Sequence, residues 1–436
     1  MQVDSVIHAR WIIPVEPENT VHEHFSLVID AGLIIDLLPT LQARQRYQGD
    51  IEHTLTDHAL IPGFVNTHTH AAMTLLRGIA DDLPLMDWLE NHIWPLEKKW
   101  LSADFVKTGT DLAIAEMLSS GTTCFNDMYF FPEITAQQAI KHGMRACIGL
   151  IIMDFPSAWA ENSAHYLQKG LALHDSLQQQ PLISTAFAPH APYTVSDESF
   201  KKIAAYAKQL AIPVHIHLHE SVQEIQQQQA QTGQSPLQRL AALDLLNSRC
   251  VAVHMTQLSA AEIALVAQTG VQIVHCPESN LKLASGFHPL AQCLAAGINV
   301  ALGTDGAASN DDLDMLGEMR TAALLAKGVA HDASAVSAMT VLKMATLNGA
   351  KALGLEKICG SLEVGKAADV VAIDLDCLYT QPLYHPIAQL VYSASRHQVT
   401  DVWVAGKHLL KQRQLLSFDE QQLRAQVKAW QLKLSV

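Results

Sequence analysis

Between residues 60 and 303, short apolar runs alternate with amphipathic stretches. Eight runs read as strands, at 60–67, 122–127, 145–152, 183–188, 213–218, 250–254, 272–276 and 299–303. Stretches with apolar residues three and four apart separate most of them, among them 104–118, 199–210, 237–246 and 313–325, and these read as helices. Eight strand–helix units in about 290 residues fit an α/β fold of the (β/α)8 TIM type, whose active sites lie at the C-terminal ends of the strands.

The two ends of the chain carry a different pattern. Residues 5–14 and 25–36 alternate as strands, with Asp30-Ala31-Gly32 as a hairpin turn. They are too few to form a stable sheet alone. The stretches at 365–374 and 400–410 supply more strands with turn residues at their ends. The expectation is a small composite β-sandwich built from residues 1–60 and 360–436, around a catalytic barrel at 61–359. A last helix begins near Ser417, which with Glu420 has the spacing of a capping box, and packs on the outside. The run Gln226–Gln229 reads as the start of a solvated helix.

Composition narrows the class. Of 436 residues, 49% are hydrophobic and 17% charged, so the chain is compact and not disordered. Its formal net charge of -14, with no lysine or arginine cluster, argues against nucleic acid and anionic membrane and for a small-molecule partner. No apolar run approaches the roughly 18 residues of a membrane span. The N-terminus lacks the basic and apolar regions of a signal peptide. The seven cysteines are scattered with no Cys-x-x-Cys, as expected of free thiols in a reducing cytoplasm.

The candidate chemistry lies at strand ends. An apolar run closes on Thr67-His68-Thr69-His70, and residues two apart on a strand point to the same side. Both imidazoles can therefore reach one metal ion. The fifth strand ends Val214-His215-Ile216-His217-Leu218-His219-Glu220. Alternation puts the three histidines on one face and does not choose among them. The sixth strand ends at His254, the seventh at His275-Cys276 and the eighth at Gly303-Thr304-Asp305-Gly306. In a closed barrel Asp305 lies beside the His68/His70 strand.

The string Pro62-Gly-Phe-Val-Asn-Thr-His-Thr-His70, His217 with Glu220 three residues on, and Gly303-Thr-Asp-Gly306 resemble the amidohydrolase superfamily. The strings 279–286 and 303–315 resemble its 5-methylthioadenosine/S-adenosylhomocysteine deaminases. The resemblance implies that His68, His70, His217 and Asp305 hold the metal, selecting His217 over its neighbours. It implies that Asp305 shuttles protons, Glu220 meets the purine ring and His254 holds the attacking hydroxide. It also implies that Glu97 takes the ribose hydroxyls, that His190 contacts substrate, and that Trp88 walls the pocket. One divalent metal is expected, zinc ahead of iron, because strand four ends in Ala188-Pro189-His190 without the lysine or acid that bridges two metals.

The implied reaction is hydrolytic attack at C6 of an adenine nucleoside, releasing ammonia. Water needs a metal to become a nucleophile at neutral pH, and Asp305 and Glu220 would move the protons. Many relatives place an arginine after the third strand to grip the homocysteine carboxylate. Here no arginine occurs between Arg145 and Arg239, which argues for methylthioadenosine or adenosine. Arg77 and Arg145 read as braces. A guanine-type or triazine-type hydrolase is the alternative on the same scaffold. A peptidase is disfavoured by Glu97 and His190, and a metal-free scaffold by the full ligand set. Relatives of this kind imply a homo-oligomer.

Overall fold

The computed structural model describes residues 1–435. Eight parallel strands run in chain order around one sheet: Phe64–Thr69, Thr122–Asp127, Arg145–Ile152, Ile183–Pro189, Val214–Leu218, Cys250–His254, Gln272–His275 and Val300–Leu302. Several are buried along their whole length, as in Cys250-Val-Ala-Val-His254, because helices cover the outer face and packed side chains fill the inner one. The intervening helices show the expected stripe; in Asp197–Leu210, Phe200, Ile203 and Ala207 are buried. Serine hydroxyls cap many of them, with reciprocal capping boxes at Ser235/Gln238 and Ser259/Glu262.

The barrel closes through side chains and a loop. Asn66 Nδ2 donates to Thr304 Oγ1 (2.7 Å), Thr304 N donates back to Asn66 Oδ1 (3.0 Å), and Asp305 N donates to His68 O (3.0 Å). The seam thus joins the first strand to the end of the eighth at the level of the expected metal ligands.

The chain ends form a second eight-stranded sheet, in the order Gln414–Leu415, Lys407–Lys411, Val399–Val404, Val370–Asp374, Gln48–Pro62, Gln2–Ile12, His22–Asp30 and Leu33–Pro39. It curls around its own core of residues such as Ile7, Leu27, Ile34, Val370 and Trp403. Two hairpin turns meet where it folds over. Gly32, at φ +79, sits so close to Ala405 O that a Cβ would lie 2.7 Å from it, so only glycine fits.

Three expectations are corrected. The run at 60–67 is not one strand. Leu60–Pro62 belongs to the end sheet, and the barrel strand starts after Gly63, where a Cβ would meet the Thr123 side chain at 2.0 Å. The helix expected at 237–246 is the shorter Pro236–Ala242. The last helix, Glu420–Leu434, is capped by Asp419, whose side chain accepts from Gln422 N (3.0 Å). A carboxylate satisfies the free N–H groups and the helix dipole together. Ser417 Oγ is instead 3.1 Å from His142 Nδ1. That helix does pack on the outside, with Trp430 edge-on to Phe105.

Arg145 braces the two sheets. Its guanidinium makes a two-pronged pair with Asp369 (2.8 and 3.1 Å), both side chains buried, and Asp369 also accepts from Ala405 N. Arg77 pairs with Glu116. Removing one member of a buried pair leaves an uncompensated charge, so Arg145→Met is expected to cost about 3–5 kcal/mol. Urea unfolding checks this, and Arg145→Met with Asp369→Leu should recover much of the loss.

Candidate metal centre and active site

At the C-terminal end of the barrel, His68, His70, His217 and Asp305 each offer a ligand atom, all within 4.8 Å of one another. His68 and His70 Nε2 are each 3.2 Å from Asp305 Oδ1, and His217 Nε2 is 3.2 and 3.3 Å from the Nε2 atoms of His68 and His70. The opposite ring nitrogens are occupied. His70 Nδ1 donates to Met128 O (2.5 Å) and His217 Nδ1 to His190 O (2.7 Å). A carbonyl only accepts, so both Nδ1 atoms carry hydrogens and both Nε2 atoms point inward as lone pairs when neutral. Crowded lone pairs beside a carboxylate are the donor set a divalent cation satisfies.

The charges agree. Burial holds His68 down to about 4 and His217 well below the imidazole range. His70 is buried as well, but the hydrogen bond and charge of Asp305 outweigh burial and raise it to about 8. Burial opposes ionisation of Asp305; the hydrogen bonds and charges of His68 and His70 prevail and hold it well below the carboxylate range. Ser279 and Ser309 hydroxyls donate to its Oδ2 (2.7 and 3.1 Å), and Gly306 N to its Oδ1 (2.8 Å).

Around this centre opens a cavity of about 550 Å³. His190, Glu220, His254 and Glu97 face it with the ligands. Glu220 Oε2 is 3.7 Å from His254 Nε2, and Ser285 Oγ donates to Glu220 Oε1 (3.2 Å). Burial raises the Glu220 carboxyl. His254 Nδ1 donates to Asn280 Oδ1 (2.9 Å), which turns its Nε2 toward the cavity. Burial pushes Glu97 up to about 7, although the Tyr129 hydroxyl donates to it (2.7 Å). The remaining wall is largely apolar, with Trp88, Trp94, Met153 and Phe155; it includes Lys98 and no arginine.

Of the three fifth-strand histidines, only His217 joins the ligands. His215 lies behind, with Nε2 2.9 Å from His68 Nδ1. His219 does not share their face, because the strand ends at Leu218 and its φ of +51 turns the ring toward Gln257 O. The sequence reading missed Tyr129, Asn280 and the two serines on Asp305. It also missed Glu224, whose carboxylate accepts from Glu220 N (2.7 Å) and His219 N (3.2 Å). Glu224 stands four residues beyond Glu220, the one signal that could have found it.

A parallel barrel whose strand ends gather three imidazoles and a carboxylate defines a metal-dependent hydrolase. The chain belongs to the amidohydrolase family, whose family model matches residues 59–409. It is 50% identical over 432 residues to a 5-methylthioadenosine/S-adenosylhomocysteine deaminase of Teredinibacter turnerae, covering 99% of this chain and 98% of that one. It is 50% identical over 433 residues to one from Saccharophagus degradans, covering 99% and 97%. The solved adenosine deaminase of Xanthomonas campestris, with bound zinc, superposes with a TM-score of 0.99 at 53% identity over 100% of this chain and 99% of that one.

Purified protein is expected to carry about one equivalent of divalent metal, and His70→Ala less than about a tenth of that. Elemental analysis checks both.

Proposed function

We propose that this chain hydrolyses the 6-amino group of an adenine nucleoside, 5′-methylthioadenosine ahead of S-adenosylhomocysteine, giving the inosine-type product and ammonia. One observation carries the reading: the metal ligands, Glu220 and His254 face one cavity with Glu97. The names of the relatives agree with it. His68, His70, His217 and Asp305 would hold one divalent ion, zinc ahead of iron. Bound there, such an ion supplies a nucleophile at neutral pH by lowering the pKa of water to about 7.

The chain's own residues handle the protons. Asp305, kept ionised, accepts a proton from the attacking water and returns it to the departing amine. Glu220, raised by burial, gives a proton to a ring nitrogen as C6 becomes tetrahedral. His254 orients the attacking oxygen from Nε2. Glu97 accepts from the ribose hydroxyls, and His190 contacts the substrate beside it. The apolar wall around Trp88 and Phe155 suits a methylthio group, and the absence of a lining guanidinium gives a homocysteine carboxylate no two-pronged partner.

Three further points belong to this reading. The catalytic unit is residues 61–359 and the composite unit 1–60 with 360–436, supported by the two sheets apart from Ile61 and Pro62, which end the long strand of the second one. A homo-oligomer is supported by apolar side chains left on the surface, with Leu378 at 91% and Tyr379 at 81% exposure. A cytoplasmic setting is supported by seven free cysteines. No described helix is long and apolar enough to cross a membrane.

Ammonia release tests the reaction. Methylthioadenosine should give the highest kcat/KM, S-adenosylhomocysteine at least about tenfold less, and guanine none. Release from guanine alone would sink the proposal. Glu220→Gln should keep its metal and lose about 10²–10⁴ in turnover.

Glu97 adds a pH dependence. It accepts two hydroxyls only when ionised, and its carboxyl titrates at about 7. KM for the nucleoside should therefore rise by up to about tenfold per pH unit below about 7. Glu97→Gln should flatten that slope while leaving kcat within about threefold. Initial rates between pH 5.5 and 8.5 decide it.

A further inference from the structure

A second cavity, of about 330 Å³, opens at the opposite end of the barrel. Its walls are the starts of three barrel strands, around Ile183, Pro213 and Arg249, together with the end of the helix Leu347–Ala352 and the turn after it. This is the N-terminal face, away from the strand ends that carry the metal ligands.

The cavity has one charge sign. Arg249 and Lys351 line it, and no aspartate or glutamate does. Among the described residues, neither cation makes an ion pair, and the only hydrogen bond from Arg249 outside the ladder is from its backbone. That sets Arg249 apart. The other buried or half-buried arginines each have an acceptor: Arg10 on Glu23, Arg145 on Asp369, Arg239 on Asp197, Arg320 on Ala394 O and Arg396 on Glu116. His174 also lines the same space. His174 Nδ1 is engaged by Thr185 Oγ1 (2.7 Å), leaving Nε2 without a partner among the described residues. The Ser184 hydroxyl is buried beside the Cys147 thiol and is not a donor to this space. The rest of the lining mixes Gln178, Thr185 and Ser248 with apolar side chains, including Leu177, Ile212 and Leu353.

In a chain of net charge -14, most of the surface repels anions. A concave wall with an unpaired guanidinium reverses that locally and focuses the field. A guanidinium presents two parallel donors that match a phosphate, and the aliphatic side chains beside it take an apolar body. We propose that this cavity is a second ligand site, binding a small phosphate monoester with an apolar body, distinct from the deaminating centre. Arg249 holds the phosphate in two places, Lys351 at the rim adds charge, and Leu177, Ile212 and Leu353 cover the apolar part.

Phenyl phosphate is the probe, with inorganic phosphate and phenol as controls, titrated calorimetrically into the metal-loaded enzyme at fixed ionic strength. Saturable binding at one site per chain, tighter than inorganic phosphate by about tenfold or more, is expected. Arg249→Gln should weaken it at least about tenfold and Lys351→Gln about threefold, with deamination unchanged in both. No saturation at about 10 mM, or equal binding by Arg249→Gln, would overturn the proposal. A wild-type readout does not depend on the variants folding: phenyl phosphate should slow acetylation of Lys351, followed by mass spectrometry. Unslowed acetylation at saturating phenyl phosphate counts against the site.

Discussion

Three imidazole nitrogens and a carboxylate cannot stand within hydrogen-bonding distance of one another unless something positive stands between them. Much of the barrel's C-terminal end can be understood from that constraint. His70 and His217 are locked by carbonyls so that their lone pairs turn inward. Asp305 is pinned by two hydroxyls on Oδ2 and by Gly306 N on Oδ1, the oxygen that also faces His68 and His70. The seam that closes the barrel joins Asp305 N to His68 O, so closure of the fold and assembly of the donor set are one event. The backbone carries part of the load as well. His219, His254 and Asp305 all take positive φ where strands five, six and eight end. Such conformations cost of order 1–3 kcal/mol each and persist only where the surroundings over-determine them.

The cavity sorts its carboxyl groups by environment. Asp305 lies among imidazoles and stays ionised. Glu220, walled off with only Ser285 donating to its carboxyl, is raised. Glu97, farther along the wall, sits at about 7. One carboxyl held low among imidazoles and one raised by burial are the kind of pair that divides acid and base work. The same cavity combines these carboxyls and the histidines with apolar side chains such as Trp88, Met153 and Phe155.

The barrel was legible because each strand is a short apolar run bounded by turn residues, and because strand alternation gives His68 and His70 a shared direction. Seven of the eight runs lie within a residue or two of the observed strands. The first run shows the limit: hydropathy is blind to Gly63, where the chain leaves one sheet for the other because Thr123 leaves no room for a Cβ. The convergence of His68, His70, His217 and Asp305 was readable from resemblance, whereas alternation alone could not separate His215, His217 and His219. Their separation depends on where the strand stops, and that depends on backbone bonds to neighbouring strands. Tyr129, Asn280, Ser279 and Ser309 were unreadable for a similar reason, since each acts on a partner brought near only by folding. Ser417 had the right spacing for a cap, but Asp419 was the stronger acceptor and His142 claimed the serine.

The strand Gln48–Pro62 continues through Gly63 straight into the strand bearing His68, and its antiparallel partner is Val370–Asp374. On the ribosome, the first of these emerges long before the second exists. The opening sixty residues must therefore wait with an unfilled edge until nearly the whole polypeptide has been made. Protection of that edge during synthesis, by a chaperone or by the nascent barrel itself, is a demand this topology places on the cell.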